Sequence, residues 1–200
     1  KRHSFPTRRS SDLWQPLPVA ASLLGESPFW HPDEGALYWC DIPGRQLNRF
    51  APASGAQAEW VFDSEPGCAA PLPGGELLIA FRDGLHRFSP ATGARTRLVP
   101  PPYDPRHERF NDGKADVLGR LWVGTIHEAR LPQAALYCFA GGRLERAAGD
   151  IANSNGLAFS PDGRTLYWAD TAGHRVLAFD VDPAGGALSR RHVFAEFAPK

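Results

Sequence analysis

A short apolar run recurs four times along the chain, as Leu37-Tyr38-Trp39-Cys40, Leu77-Leu78-Ile79-Ala80, Leu121-Trp122-Val123-Gly124 and Leu166-Tyr167-Trp168-Ala169. The leading leucines stand 40, 44 and 45 residues apart. Each run follows a turn signal: Asp33-Glu34-Gly35, Pro73-Gly74-Gly75, Leu118-Gly119 or Pro161-Asp162-Gly163. Each also leads into a second strand-like segment that closes on a phenylalanine, at Phe50, Phe88, Phe139 and Phe179. Gly- and Pro-rich reversals, among them Ser54-Gly55, Gly141-Gly142 and Pro183-Ala184-Gly185-Gly186, end the outer part of each copy. From Trp14 onward no 3.6-residue periodicity lasts long enough to predict a helix. A period near 40 built from short strands predicts an all-β chain whose repeats are the blades of a β-propeller.

The repeat also indicates where chemistry would gather. Ten or eleven residues before the leading leucines stand Glu26, Asn111 and Asn155, with Pro66-Gly67 at the matching place in the second copy. If the repeats are arranged radially, three oxygen-bearing side chains at one point of the repeat converge on a shared axis. Pro100 to Pro105 reads as a loop into the third copy beside that axis.

Composition narrows the partners. With 22 basic and 22 acidic residues the formal net charge is zero, which gives no overall pull toward nucleic acid or an anionic membrane. A small neutral or anionic ligand fits better, and no obligate protein partner is evident. No segment approaches the roughly 20 apolar residues of a transmembrane helix. Cys40, Cys68 and Cys138 form no CxxC pair. They read as reduced thiols, which favours a cytoplasmic setting. Residues 1–13 carry no strand alternation and resemble translated adapter sequence, a non-native or disordered leader. Residues 14–200 form the domain, whose last strands run to the C-terminus without a closing element, so the chain reads as part of a longer ring.

Three segments at the expected axis carry a resemblance: Gly25-Glu26-Ser27-Pro28-Phe29-Trp30, Arg109-Phe110-Asn111-Asp112-Gly113-Lys114 and the run from Ser154-Asn155-Gly156 to Pro161-Asp162-Gly163. Together with Gly119 to Thr125, in this order, they resemble the family of senescence marker protein 30, gluconolactonases and related sugar lactonases. The resemblance implies a six-bladed propeller, of which about four blades lie here, with one divalent metal on the axis and a sugar-acid lactone as substrate. Glu26 corresponds to the family's first metal ligand and Asn155 to its second; Arg109 and Asn111 match substrate-binding positions. The third ligand, an aspartate of a later blade that also serves as general base, has no match in these 200 residues and is expected beyond Lys200. A further acidic substrate contact follows the Gly124-Thr125 pair. Glu128 is near that place, while strict alignment lands on Ala129.

The residue types agree with that chemistry. A carboxylate and an amide carbonyl are hard donors suited to Ca²⁺, Mg²⁺ or Mn²⁺, and they accept Zn²⁺ when geometry permits. The guanidinium of Arg109 offers a planar fork for ring hydroxyls or a carboxylate. No G-x-S-x-G elbow supports a serine nucleophile, and the histidines lack zinc-ligand spacing.

Blander readings stand beside these. Glu26 and Asn155 could be solvated turn residues, and Asp112 reads better as a structural acceptor for loop N–H groups than as a ligand. Asp41 and Asp170, which follow what is read as the inner strand of copies one and four, suggest a repeated structural hydrogen bond. Trp30, Trp39, Trp60, Trp122 and Trp168 read as packing between blades. The rival from another class is a non-catalytic propeller that binds a protein or peptide on its face.

Overall fold

The computed structural model describes residues 16–198; the leader assigned to residues 1–13 lies outside them. The described residues form sixteen strands in four antiparallel meanders and no helix. Blade 1 holds β1 (Gly25–His31), β2 (Ala36–Asp41), β3 (Gln46–Ala51) and β4 (Ala56–Val61). Blade 2 holds β5 (Pro66–Leu72), β6 (Glu76–Phe81), β7 (Gly84–Phe88) and β8 (Arg95–Val99). Blade 3 holds β9 (Glu108–Ala115), β10 (Leu121–His127), β11 (Ala134–Ala140) and β12 (Arg143–Ile151). Blade 4 holds β13 (Ser154–Phe159), β14 (Thr165–Asp170), β15 (Arg175–Val181) and β16 (Leu188–Glu196). In each sheet the strands pair in chain order, β1-β2-β3-β4 and likewise onward. The four first strands touch one another from blade to blade, β1 with β5, β5 with β9 and β9 with β13, and so line the axis of a β-propeller.

The recurring apolar run is the second strand of each blade, and its residues alternate between two interfaces. Leu77 and Ile79 of β6 pack back against Tyr38, Cys40 and Leu47 of blade 1, while Leu78 and Ala80 pack forward against Phe110, Leu121 and Val123 of blade 3. Trp122 of β10 points forward again, to Leu166 and Trp168. In blades 2 and 3 the first residue of the run faces the preceding blade and the second faces the next. That is why the middle runs are apolar throughout instead of alternating with polar residues.

Two sequence expectations are met and two change. The carboxylate of Asp41 accepts from the backbone N–H of Leu23 (2.8 Å), Leu24 (3.1 Å) and Gly44 (3.2 Å). Asp170 does the same for Gly173 (3.2 Å) and pairs with Arg175 (3.1 Å). Both are structural acceptors as expected, but their strand is second from the axis, not innermost. Trp122 and Trp168 are buried between blades 3 and 4 and Trp60 packs between blades 1 and 2. Trp30 is instead 54% exposed, because its strand lines the axial cavity, and Trp39 is half-buried against the segment before β1, where its Nε1 donates to Ser22 Oγ at 2.9 Å, not between two of the described blades.

Candidate active site

Every axial strand bulges near the same place in its repeat. Against one residue step on the neighbouring second strand, β5 inserts an extra residue between Pro66 and Cys68, and β13 one between Asn155 and Leu157. Against two steps on the second strand, β1 takes three between Glu26 and Phe29, and β9 takes three between Phe110 and Gly113. A bulge twists the strand and re-aims the side chains beside it. Glu26, Asn111 and Asn155 therefore stand at bulges because the repeat puts a bulge there. In blade 4 the residue after Asn155 is Gly156, with φ 51°; in blade 1 the residue after Glu26 is Ser27, with φ 47°. Glycine adopts this left-handed region freely, whereas a serine is held there at a cost of about 1–2 kcal/mol.

Two hydrogen bonds tie these bulges together. The hydroxyl of Ser27 donates to Asp112 Oδ1 at 2.9 Å, from blade 1 to blade 3. The amide of Asn111 donates from Nδ2 to the Ser154 carbonyl at 2.8 Å, from blade 3 to blade 4. Glu26 is thus the covalent neighbour of one bonded residue and Asn155 of another, and Asn111-Asp112 links the two. No side-chain hydrogen bond or ion pair engages the Glu26 carboxylate or the Asn155 amide among the described residues.

Arg109 belongs to the same group. Its Nη1 donates to Asn111 Oδ1 at 2.7 Å and to the Phe110 carbonyl at 3.0 Å. Burial lowers its pKa, with Arg82 adding to the effect and Glu65 and Glu128 opposing it. Glu128 lies apart at the exposed rim, where Arg82 Nη2 donates to its Oε1 at 2.5 Å and holds the carboxyl below its ordinary value. Arg82 also binds Glu65 at 2.6 Å and the Pro105 carbonyl at 2.9 Å, so it staples the proline loop to the blade 2 corner. The structure brings Arg109 and Asn111 into direct contact and commits Glu128 to Arg82.

An axial cavity of about 390 Å³ is lined by all four first strands, with Glu26, Trp30, Ala70, Asp112, Lys114 and Leu157 among its walls. Arg109, Asn111 and Asn155 are not in that lining. Close approach around the axis requires glycine: a Cβ on Gly67 would lie 2.6 Å from the carbonyl oxygens of Phe110 and Asn111. Sequence reasoning overlooked Ser154, which is fully buried and accepts from Trp168 Nε1 at 2.6 Å. It also overlooked Ser27, although a serine where blade 4 has glycine was a readable signal. Nothing in the sequence pointed to Arg82.

The sequence profile of the SMP-30/gluconolactonase/LRE-like region matches residues 24–200. The chain belongs to this family. Within the SMP-30/gluconolactonase family, a 6-deoxy-6-sulfogluconolactonase of Pseudomonas putida is 36% identical over 179 residues, covering 88% of this chain and 61% of that protein. The solved structure of a calcium-binding regucalcin from Agrobacterium tumefaciens superposes with a TM-score of 0.83 at 31% identity, covering 88% of this chain and 60% of the other. A gluconolactonase from Xanthomonas campestris gives 0.72 at 25% identity, covering 88% and 64%. The chain spans about three-fifths of the length of the curated relatives it matches.

As a test of the donor set, the residues fit part of a divalent-cation site. Glu26 and Asn155 are hard oxygen donors at one register, with no side-chain hydrogen bond or ion pair among the described residues to compete for them. No group of three His, Cys, Asp or Glu side chains gathers among the described residues, so these two donors are not joined here by further ligands of that kind.

Proposed function

We propose that the whole protein hydrolyses sugar-acid lactones at this axial face, with Glu26 and Asn155 holding one divalent cation and Arg109 and Asn111 ordering the substrate. The observation that carries the reading is the pair of unengaged oxygen donors at matching bulges, next to hydrogen bonds that join blade 1 to blade 3 and blade 3 to blade 4. A propeller that only binds a protein on its face has no need of such donors. The named lactonase relatives support the substrate class.

A divalent cation bound there would supply Lewis acidity toward the lactone carbonyl. The remaining work falls to side chains. Arg109, fixed by Asn111 Oδ1 and the Phe110 carbonyl, keeps other N–H donors for ring hydroxyls or a carboxylate. Asn111 is anchored at both ends, to Arg109 and to the Ser154 carbonyl, so it holds the guanidinium in place when substrate enters. Glu128 would act at the rim through its pair with Arg82. No residue of the 200 is assigned as the general base. Three free thiols fit a reducing compartment, which we take to be the cytoplasm.

The reading is tested by following acid release from an aldonolactone with a pH indicator, in the whole protein, with and without chelator. Turnover that is lost with chelator and restored by Ca²⁺, Mg²⁺, Mn²⁺ or Zn²⁺ supports it. Turnover indifferent to chelator overturns the metal assignment, and absence of turnover with every cation overturns the lactonase assignment.

A further inference from the structure

Ser27 breaks the local rule of its own repeat. The same bulge in blade 4 uses Gly156, at nearly the same positive φ, where no side chain resists the conformation. Blade 1 places a serine there instead, and its hydroxyl makes one contact: to Asp112 Oδ1, 85 residues away and two blades across. A side chain held in an unfavourable backbone region is retained where the surroundings over-determine it, and such positions cluster at functional sites. The same Asp112 oxygen also accepts from the Gly113 N–H at 2.9 Å, which locks the carboxylate to its own bulge.

Resting on the assignment of Glu26 as a metal ligand, we infer that Ser27 and Asp112 are a positioning pair that fixes the Glu26 carboxylate relative to Asn111 across the axis. Neither residue needs to touch metal or substrate. Ser27 is bonded to Glu26 through the backbone, so tethering its hydroxyl sets where the Glu26 bulge sits. Asp112 is bonded likewise to Asn111, which holds Arg109 and reaches Ser154 beside Asn155. One hydrogen bond thereby joins the cation half of the site to the substrate half. The role asked of Asp112 is that of a hydrogen-bond acceptor, not of a charge.

The test uses the full chain with Ser27→Gly, Asp112→Asn, Asp112→Ala and the double variant Ser27→Gly/Asp112→Ala. Ser27→Gly keeps the backbone conformation available and removes only the hydroxyl, so it folds with an unchanged or higher Tm. Its first readout is amide hydrogen exchange in residues 110–113 and 154–157, which lie on other blades. Faster exchange there is expected, and unchanged exchange overturns the inference whether or not a metal binds.

The second readout is the Kd for Mn²⁺ alone, by calorimetry. Ser27→Gly and Asp112→Ala are each expected to weaken binding roughly ten-fold, as loss of an outer partner of a ligand does. The double variant is expected to be no weaker than the worse single one. Asp112→Asn, which keeps the acceptor oxygen, should bind within about two-fold of the parent. Additive losses, or an Asn variant as weak as the Ala variant, overturn the positioning role. If exchange responds while the parent binds no divalent cation, the metal assignment falls and the coupling across the axis stands.

Discussion

Leu37 of blade 1 and Leu77 of blade 2 hold the same place in the repeat, and both face the preceding side of their sheet. Leu77 is sealed against Tyr38, Cys40 and Leu47. Leu37 is half-buried and shares a hollow with residues of the 16–22 segment, where Trp39 Nε1 donates to Ser22 Oγ at 2.9 Å. The axial ends differ in the opposite sense. Blade 2 places Pro66-Gly67 at its bulge, without a side-chain oxygen, and lets the backbone of blade 3 approach. Blade 1 places Glu26-Ser27 there, and blade 4 Asn155-Gly156. One repeat unit thus places different groups at its bulge: where the backbone of the next blade comes close the bulge is a glycine without a donor, and elsewhere it holds a polar side chain. Blade 2 therefore meets the axis with backbone and blade 1 with polar side chains.

The comparison breaks most visibly at its buried leucine. Leu77→Ala is expected to cost about 2–5 kcal/mol, the range for a sealed core leucine, and Leu37→Ala under half as much. Denaturant midpoints of the two variants would show it, and equal losses would erase the distinction. At the axis, Gly67→Ala should destabilise by about 1–3 kcal/mol, since its Cβ would meet two backbone carbonyls that cannot turn aside. Gly156→Ala, whose Cβ would find only the Ala169 side chain at 3.3 Å, should cost only the left-handed penalty of about 1–2 kcal/mol.

The chemical side of the comparison predicts function lost with stability kept. In the whole protein Glu26→Gln should weaken cation binding and lower turnover together while Tm stays close to the parent, because the amide keeps the shape and removes the charge. Arg109→Ala should raise KM about ten-fold with cation affinity intact, if its donors serve bound substrate. Steady-state kinetics at saturating cation separates the two. An Arg109 variant with unchanged KM would remove that residue from the substrate side.

The smallest effect lies again in blade 2. Burial holds the His86 imidazole below its ordinary value of 6.5, helped by Arg95 and Arg97 and opposed by Asp83 and Asp63. A histidine whose folded pKa is depressed favours the unfolded state once protonated, so its neutral-state stability is full above pH about 6.5 and is lost as pH falls through the lower folded value. Thermal melts from pH 7.5 to 5 should show a decline that is shallower in His86→Gln. Parallel slopes would assign the acid sensitivity elsewhere.

Much of this was legible in the chain. Leu37, Leu77, Leu121 and Leu166 announced four blades because strand alternation and turn chemistry are local properties, written within a few residues of one another. The common offset of Glu26, Asn111 and Asn155 likewise survived folding, since a repeat that fixes the bulge also fixes what stands beside it. Asp41 and Asp170 were legible as structural acceptors for the same reason, though not the rank of their strand, because a single strand's pattern does not say which neighbour lies nearer the axis.

What the sequence alone determined is therefore the blade count among the described residues, the turns between strands and the register of the axial oxygens. Tertiary structure alone decided the contacts those positions make: Ser27 with Asp112, Asn111 with the Ser154 carbonyl, and Arg82 with Glu128 rather than a free rim carboxylate. Those partners are 85, 43 and 46 residues apart. Their meeting depends on the rotation from one blade to the next, set by three buried interfaces acting together and carried by no single segment of the chain.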